Sequence, residues 1–337
     1  MTATYEAPGG VAAKAEPVLR LEELTTSVSD RAETRHLIQA VTLEVKPGEK
    51  VGVVGESGSG KSITMLSIMG LLPPKVAITS GRAVFGGVEL SGLQERDYRR
   101  IRGSRLAMVY QDPMSALNPV MRIGHQIAEG LRAHGAGGPE VEATVLRVLG
   151  EVGIPDPHRI AQCYPHQLSG GMRQRVMIAM ALAMEPELII FDEATTALDV
   201  TIQAQILTLV RRLHAARNTA IVWVTHDLAL VSNLVDRIVV MYGGRIVEQG
   251  PVGQVLGSPR HRYTAALLGA LPDHRSTDRR RLSQIPGGPP KLEEVQTGCP
   301  FRTRCDHAVA ACHTMPPAGY DDGGRSYACW APVEGAP

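Results

Sequence analysis

Aromatic side chains are scarce. Three Phe, two Trp and eight Tyr serve a chain of 337 residues, so the interior must be packed largely from aliphatic groups. Long apolar runs are also missing. The longest, Val176–Met184, has nine residues, whereas a helix that spans a bilayer needs about 18; no segment is expected to cross a membrane. Neither charge is in surplus: 35 Lys and Arg face 34 Asp and Glu, a formal net charge of +1. Chains that coat nucleic acid are usually strongly basic, so no nucleic-acid partner is expected. The first 20 residues are small and polar, with no apolar core of a secretory signal. A cytoplasmic setting is expected, in which thiols stay reduced and disulfides do not form. Sustained heptads are absent as well, which argues against a long coiled-coil arm.

What is present has an α/β texture. Residues 1–17 read as a flexible tail, and a β-rich stretch, Val18–Val45, closes at the turn Lys46-Pro47-Gly48. A short apolar strand, Val51–Val54, runs straight into Gly55-Glu56-Ser57-Gly58-Ser59-Gly60-Lys61-Ser62. A helix is expected from there to about Leu72, stopped by Pro73-Pro74. Further apolar strands at Leu106–Tyr110, Leu188–Phe191 and Ala220–Thr225, separated by helices, indicate a parallel sheet covered on both faces. Ile238–Tyr242, Gly243-Gly244 and Arg245–Glu248 have the pattern of a hairpin. From about Asn118 to Met184 the pattern is mostly helical, an insert in the sheet. One domain over 18–271 is therefore expected, with a helical subdomain at about 118–184. Beyond it, a basic run at Arg279–Arg281 and the Pro/Gly-rich Ile285–Pro290 read as a linker to a small cysteine-bearing module, together 272–337.

The segment Gly55–Ser62 matches the P-loop pattern, with a strand before it and a helix after it. Gly55, Gly58 and Gly60 let backbone N–H groups turn inward around phosphate oxygens, Ser57 and Ser59 lie within the cradle, and the helix N-terminus adds partial positive charge. Lys61 is expected to reach the β- and γ-phosphates and the Ser62 hydroxyl to hold Mg²⁺. A second element is Glu187–Glu193, an apolar strand ending in two acids at the mouth of the sheet, where open α/β sheets bind ligands. Asp192 is the candidate for Mg²⁺, and Glu193 for orienting and polarising the attacking water.

Leu168-Ser169-Gly170-Gly171-Met172-Arg173-Gln174-Arg175 resembles the signature segment of ATP-binding cassette (ABC) ATPases, and it precedes the acidic strand as in that family. Gln111 resembles the family's Q-loop glutamine, Ala197-Leu198-Asp199 its D-loop, and His226 its switch histidine. The resemblance covers essentially the whole chain. It implies a P-loop α/β core of parallel strands, similar to that of RecA, with an antiparallel β subdomain and a helical insert. It also implies ATP sandwiched between two such domains, with Ser169, Gly170, Gly171 and Asp199 facing the nucleotide on a partner's P-loop. Lys61, Gln111, Glu193 and His226 are then the catalytic set, and Ser62, Gln111 and Asp192 the Mg²⁺ set. Two departures stand out. Relatives usually stack an aromatic ring on adenine, but residues 6–54 contain none; His36 or Leu37 are the candidate substitutes. Ala194 stands where proline often follows the catalytic acid, and only a small loop effect is expected.

Within the family, Tyr110–Pro119, Tyr164-Pro165-His166-Gln167, Thr195–Thr201, Pro259–Thr264 and Leu267–Pro272 resemble the ATPases of dipeptide and oligopeptide importers. That resemblance implies a heterodimer with a second ATPase subunit at the cytoplasmic face of the membrane. It also implies two permeases, received at about residues 111–135, and an external substrate-binding protein. The alternative is a soluble ABC ATPase acting on ribosomes or DNA, which often has two cassettes or long coiled coils. Cys163 reads as a small packing residue. Cys299, Cys305, Cys312 and Cys329 cluster, with gaps of five, six and sixteen residues. Four thiolates suit Zn²⁺ or a 4Fe–4S cluster, and the spacing does not choose between them. Gly298–Cys305 is similar to the cysteine-rich tail of the peptide-importer ATPases, which implies the iron–sulfur cluster.

Overall fold

The chain begins as a β unit. In the computed structural model, which describes residues 16–30, 33–196, 198–270, 284–320 and 324–334, β1 (Leu19–Ser29) and β2 (Thr34–Val45) pair antiparallel. The expected tail up to residue 15, Ala197 and the basic run Arg279–Arg281 lie outside the described residues. From Gln39 onward β2 alternates: Gln39, Val41, Leu43 and Val45 are buried, while Ala40, Thr42 and Glu44 face solvent. That is the pattern of a sheet with one wet face. β3 (Lys50–Val54) is buried almost throughout and delivers the chain through the glycine loop to α1 (Lys61–Met69). This helix stops at Gly70, whose left-handed backbone returns its N–H to the carbonyls of Leu66 and Ser67. The stop thus comes from the glycine cap, ahead of the proline pair that the sequence pattern suggested. β4 (Val76–Phe85) and β5 (Val88–Glu89) complete a four-stranded sheet of order β2–β1–β4–β5.

After α2 (Glu95–Ile101) comes β6 (Leu106–Val109). The helical stretch follows as α3 (Pro113–Ala116), α4 (Ile123–Ala133), α5 (Pro139–Glu151), α6 (Pro157–Ala161) and α7 (Gly170–Leu182). β7 (Leu188–Asp192), α8 (Val200–Arg217), β8 (Ala220–Thr225), α9 (Leu228–Ser232) and β9 (Arg237–Tyr242) return the chain to the core. β6, β7, β8, β3 and β9 lie side by side and parallel. One face packs against the antiparallel sheet and α1 through Val51, Val53, Ile190, Val222 and Val224. The other packs against the helices through Val54, Ile189, Phe191 and Trp223. With so few aromatics, the stacked Phe191–Trp223 pair, 4.7 Å between centroids, anchors this second layer.

The sheet is mixed, not wholly parallel. β10 (Arg245–Pro251) runs back along β9, and α10 (Val252–Gly257) and α11 (Arg262–Gly269) follow. The carboxy-terminal segment then adds β11 (Gly319–Tyr320) and β12 (Ser326–Tyr327), with β12 pairing to β10. Cys299, Phe301 and Cys312 enter the same core as the helical layer. Among the described residues, no helix is long and apolar enough to cross a membrane.

Candidate nucleotide site

Because β6, β7, β8 and β3 are parallel neighbours, the residues after their carboxy-terminal ends share one edge of the sheet. Gln111 follows β6, Asp192 and Glu193 end β7, His226 follows β8, and the glycine loop follows β3. Sequence-distant groups are therefore brought together by topology alone.

In the loop, Gly60 has φ +100°, and a Cβ there would lie 2.8 Å from Ile38 Cγ2. Only glycine meets both demands. Ser57 and Gly58 form the exposed crest, whereas Ser59 and Lys61 are buried. The Lys61 ammonium donates to the carbonyls of Gly55, at 2.8 Å, and Glu56, at 2.9 Å. Burial pushes its pKa down, opposed by the charges of Glu193, Asp192 and Glu56. Its positive charge is thus bound to the loop and desolvated, which strengthens its attraction for an incoming anion.

Ser62 Oγ donates to Asp192 Oδ1 at 3.2 Å. Burial raises the Asp192 pKa, with the Ser62 hydrogen bond opposing and the neighbouring Glu193 adding to the rise. A half-buried carboxylate of this kind is short of positive charge. A hydroxyl, a carboxylate and the nearby amide of Gln111 offer the oxygen donors that Mg²⁺ takes, so the residues fit that ion. Glu193 has a left-handed backbone, φ +48°, which is strained for a non-glycine residue. Its N–H is tied to the Val224 carbonyl at 3.0 Å. Its Oε2 receives Gln111 Nε2 at 3.3 Å and Thr196 Oγ1 at 3.5 Å, and lies 3.5 Å from His226 Nδ1. Strain and three polar neighbours aim one carboxylate at the edge where Lys61 ends.

The signature residues stand elsewhere. Ser169 caps α7 by accepting from the Met172 N–H at 3.4 Å, and both Ser169 and Gly170 are exposed. A Cβ on Gly171 would meet Ile202 Cγ2 at 2.9 Å, so this glycine lets α7 and α8 close on each other. Asp199 caps α8 by accepting from the Ile202 N–H at 3.0 Å. Among the described residues, no hydrogen bond or ion pair joins Ser169–Gly171 or Asp199 to Gly55–Ser62. The structure gathers Lys61, Ser62, Gln111, Asp192, Glu193 and His226, and leaves the Ser169–Gly170 start of α7 open to solvent.

Of the two candidates for the adenine contact, His36 is tethered and Leu37 holds its backbone against the loop. His36 Nδ1 pairs with Ser27 Oγ at 2.8 Å, and its backbone N–H reaches Gln296 Oε1. The Leu37 carbonyl lies against the backbone of Gly60 and Gly244. Sequence reading also missed the contact of the loop with the carboxy-terminal segment, where Arg304 grips Glu56. The one signal was an acid inside an anion-binding loop, a charge that needs a partner.

Cys299 and Cys312 are buried, and the Cys299 N–H donates to the Cys312 carbonyl at 2.9 Å. Burial pushes the Cys299 thiol up to about 11, and the charges of Cys312, Cys329 and Cys305 push it the same way. The four thiols therefore share one neighbourhood. As placed, though, no group of three or more His, Cys, Asp or Glu side chains among the described residues could hold a metal ion. A common neighbourhood, rather than a closed ligand cage, is what the fold provides.

Comparison with known proteins bears on both ends of the chain. A family model described as ABC transporter matches residues 38–196, and one described as the C-terminal region of oligopeptide/dipeptide transporters matches residues 247–312. The chain is 47% identical over 320 residues to the probable peptide ABC transporter ATP-binding protein y4tR of Sinorhizobium fredii, covering 94% of this chain and 96% of that one. It is 45% identical over 298 residues to the oligopeptide transport ATP-binding protein OppD of Salmonella typhimurium, covering 88% of each. To the dipeptide transport ATP-binding protein DppD of Escherichia coli it is 42% identical over 321 residues, covering 95% and 98%. Among solved structures, the dimeric post-hydrolysis state of the ATP-binding cassette MJ0796 bound to ADP and Pi aligns with a TM-score of 0.62 at 28% identity, over 69% of this chain and 98% of that one. CbiO1 of Clostridium perfringens, part of the ABC transporter complex CbiONQ, aligns with a TM-score of 0.63 at 27% identity, over 72% and 91%.

Proposed function

The chain belongs to the ATP-binding subunits of the dipeptide and oligopeptide ABC transporters, and from that premise we propose that it is the ATP-hydrolysing motor of a peptide importer. The observation that carries the chemistry is the convergence of Gln111, Thr196 and His226 on one oxygen region of Glu193, at the sheet edge that holds Lys61. The loop amides and Lys61 bind the triphosphate. Glu193 accepts a proton from the attacking water, and Gln111 and His226 hold that carboxylate in line. Ser62, Asp192 and Gln111 are the residues that would hold Mg²⁺, which supplies charge neutralisation to the phosphates.

One chain carries one P-loop and one signature. The Ser169–Gly171 start of α7, exposed at Ser169 and Gly170, is free to complete a phosphate site on a second ATPase subunit, and a partner's signature to complete this one. The solved cassette MJ0796 is dimeric, in keeping with this arrangement. Two permeases are the further partners, with a substrate-binding protein acting from outside. On the segment around Gln111, Tyr110, Met114 and Val120 expose 39%, 50% and 79% of their surfaces, apolar side chains suited to receive a permease helix. The chain then works at the cytoplasmic face of the membrane. Cys299, Cys305, Cys312 and Cys329 are the residues that would hold a 4Fe–4S cluster, with Zn²⁺ as the alternative; four soft sulfur donors suit either by ligand type, and the thiols would have to draw together from the open arrangement described above. Bound there, the group would cross-link residues 299–329.

Affinity purification of the chain from solubilised membranes, without oxygen, tests this reading. Two permeases and a second ATPase should accompany it, with about four irons and four acid-labile sulfides per chain. Ribosomes or DNA without permeases would overturn the importer, and one zinc without iron would replace the cluster by a structural ion.

A further inference from the structure

The phosphate loop contains a charge of the wrong sign. Glu56 is its second residue, and its carboxylate is one of the three acids acting on Lys61. A bound triphosphate carries several negative charges of its own, so a loose carboxylate here opposes binding. Arg304, 248 residues away, answers it. Its Nη1 reaches Glu56 Oε2 at 2.7 Å and its Nη2 reaches Oε1 at 3.3 Å, the two-point geometry at which a guanidinium excels.

The pair is built in. The Arg304 side chain is only 8% exposed and that of Glu56 23%. Nη1 also donates to Tyr242 Oη at 3.0 Å, Nε to the Pro286 carbonyl at 2.8 Å and Nη2 to the Ile285 carbonyl at 3.4 Å. With all its nitrogens engaged, Arg304 cannot itself reach out to a phosphate. The loop is held from the other side too, because the Glu56 N–H donates to Tyr263 Oη at 2.9 Å. Phe301 wedges edge-on against Tyr242, and the short 3₁₀ turn Arg302–Arg304 sits between Cys299 and Cys305.

We propose that Arg304 is a positioning residue for the phosphate loop: it neutralises Glu56 and holds its carboxylate aside, so that the carboxy-terminal segment is required for tight binding of MgATP. This rests on Gly55–Ser62 being the ATP site. The test is calorimetric titration of the purified full-length chain with MgATP. Arg304→Met should weaken binding about tenfold or more, the scale of an uncompensated, partly buried carboxylate beside an anion. Glu56→Gln in the same chain should bring affinity back to within about threefold of the wild type, because the offending charge has gone. A merely structural loss would not be rescued by removing the acid. Wild-type affinity in Arg304→Met, or a double variant as weak as the single, would overturn the proposal. If Arg304→Met does not fold, Arg304→Lys carries the test. A lysine keeps the charge but loses the two-point grip, so a loss of about threefold is expected, and unchanged affinity would count against the clamp. Wild-type chain that binds no MgATP would instead sink the ATP reading itself, with Lys61→Ala as the blank.

Discussion

Glu193→Gln will bind MgATP and fail to turn it over. General-base catalysis contributes about 10²- to 10⁴-fold, and the turnover rate should fall by that factor. Binding should survive, for electrostatic reasons. The variant keeps an oxygen that can accept from Gln111 Nε2 and Thr196 Oγ1, so the loop geometry need not change. It removes one of the negative charges acting on Lys61 and on Asp192. Burial, the larger cause of the raised Asp192 pKa, is unchanged in the variant, and only the contribution of the Glu193 charge is lost. Affinity for MgATP should therefore match or exceed that of the wild type. Single-turnover hydrolysis at saturating MgATP checks this, and a rate near wild type in the variant's own site would remove Glu193 from the role of base.

Ser169→Arg acts at a distance of one subunit. Among the described residues, no hydrogen bond or ion pair joins Ser169 to its own glycine loop; it caps an exposed helix start. An arginine there removes a hydroxyl donor and blocks the approach to the amides of Gly170 and Gly171. If those groups serve the partner's nucleotide, hydrolysis at the partner's loop should fall by about 10²- to 10³-fold, the usual effect of losing a fixed donor to a developing anion. The chain's own loop, intact, should still bind MgATP as before. Site-resolved nucleotide trapping in the assembled pair separates the two. Equal damage at both sites, or damage only to its own, would contradict a composite site shared between subunits.

The parts of the candidate site are legible in the sequence because each is local. A glycine loop after an apolar strand, two acids ending another, and a capped helix start each carry their chemistry within a few residues. The parallel order of β6, β7, β8 and β3 then brings Gln111, Glu193 and His226 to one edge. What lay hidden depends on contacts between distant segments. The two-residue strand β12 is too short to announce itself, yet its pairing with β10 draws the carboxy-terminal segment onto the core. The Glu56–Arg304 pair spans 248 residues, and no periodicity links its members. α1 ends at Met69, short of the expected Leu72, because the left-handed cap at Gly70 acts before the proline pair. Residue type alone names His36 for the adenine contact, and the hydrogen bond that fixes its ring to Ser27 has no signal in the sequence.

Uptake by the reconstituted assembly tests the central assignment most directly. The chain, its partner ATPase and the two permeases are placed in vesicles with the substrate-binding protein, and accumulation of radiolabelled di- to pentapeptides is followed with and without MgATP on the ATPase side. The expected result is peptide uptake that requires MgATP and is lost with Glu193→Gln while the assembly stays intact. Uptake that ignores ATP or survives Glu193→Gln would contradict the motor, and MgATP hydrolysis by an intact assembly that moves no peptide would contradict the cargo.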